Sequence, residues 1–502
     1  MFKEYYLKYR NFVKKNSSLI IFILLFIFFF TFPVLILYDS AHYMNFVEIF
    51  EGKQSFSNWD IVRGPVFPIL IFLSNKLFGK TSVGLLFMNF FFYLIMLFVS
   101  RYILDFLSIK NRKKQMILYA LFFFLIILNP ILFGYYHTLL TEGIAITLAI
   151  LSSLLAWKLL TFSKDKNPYS LPLAIYFIIM TPVSWFLKQP YLSTVLFPLG
   201  VATVIQLFLT KNIKQKLSVA LVLVLSLLSL FFSVKLWNVF LQEQNVDMNT
   251  DRNVTITLGN QLLETMPNIK INTEDGEMDM NIEIVDRDAK VVGVGSVKKN
   301  EEGFVNTKDA IMFILKTFVK HPLQVIDSYF TNYLALINIH STYTSDGVSY
   351  YIKDRVWDAS GCVENCAIAI SLLDKKSNVY YMSEEMYLRV QDYEQYVNSP
   401  FVLRKVLRLF VKPSILIFNI SLLLLPFIFI VSIIYWIIQK QKNDEFKQRA
   451  FALSVILLGF SFLHLLLHAV TGAVIDRYAT PSYITTILGY ISFYVACCPK
   501  KK

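Results

Sequence analysis

The chain has 502 residues, 56% of them apolar or aromatic and 17% charged, against about 45–50% and about 25% in ordinary soluble domains. That excess, with a mean hydropathy of +0.53, excludes a single water-soluble enzyme, and the scarcity of polar, charge-rich stretches excludes a disordered chain. The net charge of +13 is distributed as a topology signal and not as a nucleic-acid surface: residues 242–400 hold 14 Lys and Arg against 24 Asp and Glu, so the remainder is strongly basic.

A spanning helix needs roughly 20 mostly apolar residues, and ten stretches qualify, near 17–37, 82–102, 115–134, 138–159, 170–187, 190–209, 217–240, 412–438, 450–471 and 479–498. The first has a basic head (Lys3, Lys8, Arg10, Lys14, Lys15). Its apolar run is too long for a signal sequence, and Phe32-Pro33-Val34 is no small-residue cleavage site, so it reads as a retained anchor. Between the first two spans, 38–81 forms an outer loop in which Val66–Phe78 is apolar but too short to cross, and is expected to lie along the interface. The stretch 170–187 contains Pro172 and Pro182. It is kept as a span because dropping it would put neighbouring basic clusters on opposite sides.

Those clusters set the orientation. Lys110, Arg112, Lys113 and Lys114, then Lys158, Lys164 and Lys166, Lys211, Lys214 and Lys216, Lys440, Lys442, Lys447 and Arg449, and the tail Lys500–Lys502 all fall between spans on one side. By the positive-inside rule that side is cytoplasmic, with both termini inside. The expected fold class is an α-helical polytopic protein of the plasma (inner) membrane with about ten transmembrane helices and a mixed α/β extracytoplasmic domain. Its parts are a membrane region of seven helices at 1–241, the outer domain at 242–411 and three further helices at 412–502. Within the outer domain, Asn253–Thr257 and less regularly Asn281–Val292 alternate like strands, and 308–337 reads as helix. Cys362 and Cys366 would close a small loop in an oxidising compartment and lack the second ligand pair that zinc needs. Cys497 and Cys498 read as buried thiols at the cytoplasmic edge in preference to lipidation sites.

Cations at the outer face run against the positive-inside rule and single themselves out: Arg63 in the first outer loop, Lys188 in the turn after 170–187, and Arg477 where the last span begins. His464 and His468 lie one helical turn apart at the outer end of the ninth span. Asp39, Glu142 and Asp476 supply acids on the same side. Each alone is explained by snorkelling, but a shared side and depth point to a site, because ionisable groups within a bundle are costly. Such a set suits an amphiphile with an anionic head, its phosphate on Arg or Lys and its reaction partner a hydroxyl that gives a proton to a carboxylate. His464 and His468 would offer two zinc ligands with no third evident, so metal stays unknown, with a divalent ion admissible. His42, three residues after Asp39, either orients it or simply sits in the interface.

The run Tyr38-Asp39-Ser40-Ala41-His42-Tyr43 with Glu51-Gly52, then Arg63-Gly64-Pro65-Val66-Phe67-Pro68 and Leu77-Phe78-Gly79, resembles the first outer loop of GT-C glycosyltransferases. These polytopic enzymes include the protein O-mannosyltransferases and the lipid A aminoarabinose transferases. Leu140-Thr141-Glu142 and Asp476-Arg477-Tyr478-Ala479-Thr480-Pro481 also resemble their pattern, whereas Ser40 stands where many members have a second acid. The resemblance covers the membrane region only. It implies a polyprenyl-phosphate-linked sugar donor, an acceptor glycan, lipid or protein of the cell envelope, and a bilayer in place of nucleic acid. It also implies Asp39 as general base in an inverting single displacement, with the departing phosphate held by Lys188 and Arg477. Arg63, Glu142, His42, His464, His468, Asp476 and Tyr478 are the remaining candidates to touch substrate. A polymerase, or a flippase or transporter, of lipid-linked polysaccharide is the alternative; a transporter predicts repeated broken helices, and no such repeat is present.

Overall fold

The computed structural model describes residues 22–30, 38–59, 63–79, 81–107, 112–127, 129–160, 170–209, 213–246, 269–272, 279–285, 291–298, 307–337, 402–440, 444–471 and 476–498. Helix α1 (22–30) is followed by two short helices, α2 (Tyr38–Phe50) and α3 (Val66–Phe78). Then come α4 (Ser82–Phe106), α5 (Arg112–Phe122, running on as a π turn to Ile127), α6 (Pro130–Tyr135), α7 (Glu142–Leu159), α8 (Ser170–Leu187), α9 (Ser193–Leu209) and α10 (Ile213–Glu243). Beyond the strands lie α11 (Thr307–Lys320), α12 (Pro322–Leu336), α13 (Val402–Lys440), α14 (Glu445–Thr471) and α15 (Thr480–Cys497).

Among the described residues six helices are long and apolar enough to cross a membrane, the make-up of a multi-pass membrane protein. They fall in α4, α7, α9 with its preceding turn, α10, α13 and α14. Of the other expected spans, 115–134 and 170–187 are helices with shorter apolar runs, Gln115–Ile127 and Leu171–Leu187, and 479–498 is α15. The first is described only over 22–30. The stretch at 115–134 is divided because Asn129 starts a new helix, its side chain accepting from the Ile131 and Leu132 N–H groups with Pro130 behind it. Pro is tolerated there because the first-turn N–H has no intrahelical partner.

Burial separates the centre of the bundle from its rim. The apolar windows of α7 and α14 are 83% and 78% buried, those of α10 and α13 only 17% and 28%, so the latter two face lipid. Helix α14 packs on α15, α13, α9 and α7, and α7 packs on α4. Two hydroxyls close the α14–α15 seam: Ser454 donates to the Gly489 carbonyl, and Ser461 Oγ lies 2.7 Å from Thr485 Oγ1. A carbonyl that accepts from a neighbouring helix satisfies a polar side chain that lipid could not.

Within 242–411, β1 (Ile269–Asn272), β2 (Asp279–Val285) and β3 (Val291–Lys298) form an antiparallel sheet in that order. Ile269 pairs with Ile284 and Asp279 with Lys298, and the register shifts between Ile284 and Val285. The irregular alternation expected over 281–292 is thus two strands. The helix expected over 308–337 is two helices, because Pro322 cannot continue the ladder of α11. Helix α12 joins the bundle: Tyr333, Leu336 and Ile337 belong to the same hydrophobic core as α7 and α14. Residues 253–257 and both Cys362 and Cys366 lie outside the described residues. Cys497 and Cys498, expected as buried thiols, are instead exposed and half-buried, because α15 ends there and the two residues lie beyond its packed part.

Candidate functional site

Glu142 is the first residue of α7 and is fully buried. The positive end of the helix dipole favours a carboxylate there, yet burial in a bundle demands a counter-charge. Lys188 supplies it, with Nζ 3.9 Å from Glu142 Oε1 and its side chain 16% exposed. The lysine is brought there by a break in the backbone. Helix α8 ends at Leu187, Lys188 is extended (φ −169°, ψ 129°), and the chain restarts as the 3-10 turn Gln189–Leu192 with Pro190 in its first turn.

The same ammonium lies over the Tyr478 ring, 4.9 Å from its centroid, a cation–π placement that gains strength away from water. His468 stacks on Tyr478 with centroids 4.9 Å apart and planes 10° from parallel, and meets His464 edge-on at 4.6 Å. His464 is held at both nitrogens: Nε2 donates to the Tyr478 carbonyl at 2.8 Å, which leaves Nδ1, 2.6 Å from Ser193 Oγ, to accept. A His464–His468 zinc pair is therefore not what this geometry offers, since both ring nitrogens of His464 are engaged. Nor do three or more His, Cys, Asp or Glu converge as metal ligands among the described residues. His468 differs: it is 1% exposed, and neither ring nitrogen has a hydrogen-bond partner among the described residues. Leaving such groups unmatched costs about 1–3 kcal/mol apiece.

The loop between α2 and α3 closes on this cluster. Gly64 abuts the end of α8 so tightly that a Cβ there would lie 1.9 Å from the Phe186 carbonyl oxygen, two residues before Lys188. Arg63 stands with its guanidinium carbon 5.3 Å from the centroid of the Tyr43 ring, and the Trp59 indole N–H donates to the Arg63 carbonyl. Gly64→Ala should consequently destabilise the protein by roughly 1–3 kcal/mol, the usual result of overpacking against an unyielding backbone, and move Arg63 with it. A melting curve of the variant in detergent that overlays the wild type would show that the loop does not depend on this contact.

Asp39 lies in the first turn of α2, and His42 one turn further on. Ser40, between them, is fully buried and donates to the Leu139 carbonyl at 2.8 Å, three residues before Glu142. The residue that departs from the resembling motif is thus the one that fastens α2 to the approach of α7. Asp476 and Arg477 lie in the 3-10 turn Asp476–Ala479, next to Tyr478. The structure therefore brings together Glu142, Lys188, Tyr478, His464 and His468, and sets Arg63 on a loop that touches Phe186 in the last turn of α8, two residues before Lys188.

Ser193 had no signal of its own in the sequence, and Gly64 and Ser40 stood out only as members of the resembling motifs, with nothing to say what they touch. Helix α12 was expected as a helix, but not its place beside this cluster. Its Asn332 donates to the Ala469 carbonyl at 2.9 Å, one residue beyond His468, so the 242–411 segment reaches the same end of the bundle.

No protein-family model matches the chain, and no curated protein matches it. Among solved structures, the crystal structure of ArnT from Cupriavidus metallidurans in the apo state is similar over 96% of this chain and 78% of that one, at 10% identity and a TM-score of 0.37. Likeness at that level does not establish a shared fold.

Proposed function

We propose that the chain is an integral membrane glycosyltransferase of GT-C type that moves a sugar from a polyprenyl-phosphate donor to an acceptor hydroxyl at the outer face of the membrane. The observation that carries the reading is the convergence of Glu142, Lys188 and Tyr478. These residues stand far apart in the chain and belong to separate segments, two of which resemble that superfamily. In this reading the ten spans put both termini in the cytoplasm and 242–411 outside, and Lys188 and Arg477 hold the donor phosphate. Arg477 would serve as a bidentate fork and Lys188 as a point charge. Asp39 takes the proton of the attacking hydroxyl, the anomeric carbon inverts, and the polyprenyl phosphate leaves with its charge neutralised.

The cluster lies at one end of the bundle, where an amphiphile presents its head. A flippase or transporter would need its charges near the midplane. A polysaccharide polymerase would share the end but take a pyrophosphate-linked oligosaccharide. Analysis of lipid-linked sugars in membranes with and without the protein separates these readings. The expected result is accumulation of a polyprenyl monophosphate sugar when the protein is missing. Accumulation of a pyrophosphate-linked oligosaccharide would favour the polymerase, and unchanged lipid-linked pools would reject both.

A further inference from the structure

Helices α11 and α12 carry a surface that does not suit an aqueous domain. In α11, Ala310 and Thr317 are buried and mark the inward face. On the opposite side Ile311, Met312, Leu315, Phe318 and Val319 are exposed, Val319 to 80%. At 100° per residue these five fall within one arc of about 120°. In α12, Val325, Asn332 and Leu336 face the bundle, while Leu323 (75% exposed), Ile326 and Phe330 point away from it. A helix on a soluble domain puts polar residues on its outward arc. Here both outward arcs are apolar except for Lys308 in the first turn of α11, and Lys316 and Lys320 lie beyond one edge of the α11 arc.

We propose that α11 and α12 lie in the membrane interface as a two-helix anchor, their exposed arcs inserted among lipid chains and Lys316 and Lys320 set against lipid phosphates. Length argues against spanning, since 14 and 15 residues fall short of the roughly 20 required. Attachment argues for the bilayer over another partner. The Asn332 amide bonds the Ala469 carbonyl near the end of α14, and the Tyr333 hydroxyl donates to the Leu422 carbonyl of the lipid-facing α13, so α12 is fastened beside the rim where a membrane-crossing helix ends. An amphipathic helix in that position buries its apolar face about 5–10 Å into the headgroup–acyl boundary, with basic residues at its edge on anionic lipid. The segment between α10 and α13 is then clamped to the surface close to His468 and Tyr478, and holds its sheet there.

The test uses the full-length protein with its four cysteines replaced, carrying one environment-sensitive fluorophore at Val319→Cys, Leu323→Cys or, as the polar control, Lys316→Cys. Each protein is reconstituted into vesicles of phosphatidylcholine and phosphatidylglycerol. Labels at 319 and 323 should be quenched by lipids bearing a nitroxide near the glycerol and be several-fold less accessible to aqueous iodide than the label at 316. Equal iodide quenching at all three positions would overturn the proposal by placing the arcs in water. Protection from both quenchers, with cross-linking between copies at 319, would overturn it in favour of a protein–protein contact. Labelling after folding, with matched melting curves, keeps misfolded protein out of the readout.

Discussion

Asp39→Asn is expected to lower sugar transfer by a factor on the order of 10²–10⁴, the usual worth of a general base, while the protein still folds. The substitution keeps the side-chain volume and removes the negative charge together with the ability to take a proton. Helix α2 is secured through Ser40 on the Leu139 carbonyl and through Phe46 and Ile49 in a hydrophobic cluster with Trp59. Purified Asp39→Asn should therefore melt like the wild type in detergent and bind the lipid donor. A variant that transfers sugar at a near-normal rate would remove Asp39 from the role of base.

Lys188→Ala is expected to harm both stability and activity, and a double variant separates the two. Taking away one partner of a buried ion pair deprives the other charge of that counter-charge. For Glu142, with no exposure of its own and a partner that keeps some, the loss should be on the order of 3 kcal/mol, the low end for such pairs. Lys188→Met combined with Glu142→Met removes both charges at similar volume and should recover most of the melting temperature, because an apolar replacement of a buried pair is often neutral. Transfer should stay lost in the double variant, since no cation remains at that position for the donor phosphate. Recovery of activity along with stability would mean that the pair serves only the fold. A double variant as unstable as Lys188→Ala would mean that packing of the lysine stem, not its charge, is what the site needs.

The helices were legible in the sequence because their cause is local. A long apolar run allows no other satisfied backbone in lipid, and α3 appears over Val66–Phe78, the bounds expected from composition alone. Likewise the site's polar members could be listed from their conflict with the charge rule, as Lys188 was. Which of them meet could not be listed. Glu142 and Lys188 are brought together by the break at the end of α8, a product of packing and not of any spacing in the chain. His464 and His468 look alike by spacing, but one is held at both nitrogens by Ser193 and Tyr478 while the other has neither nitrogen bonded among the described residues. Ser40 reads as a lost acid until its hydroxyl is seen on Leu139, and Gly64 as an ordinary loop residue until Phe186 is seen against it. Composition and charge thus determined the solvent this protein lives in, because transfer into lipid is a sum over residues. The site and the outward apolar arcs of α11 and α12 were decided only by tertiary structure, because hydrogen bonds, ion pairs and exposure depend on distances between segments that the order of residues does not contain.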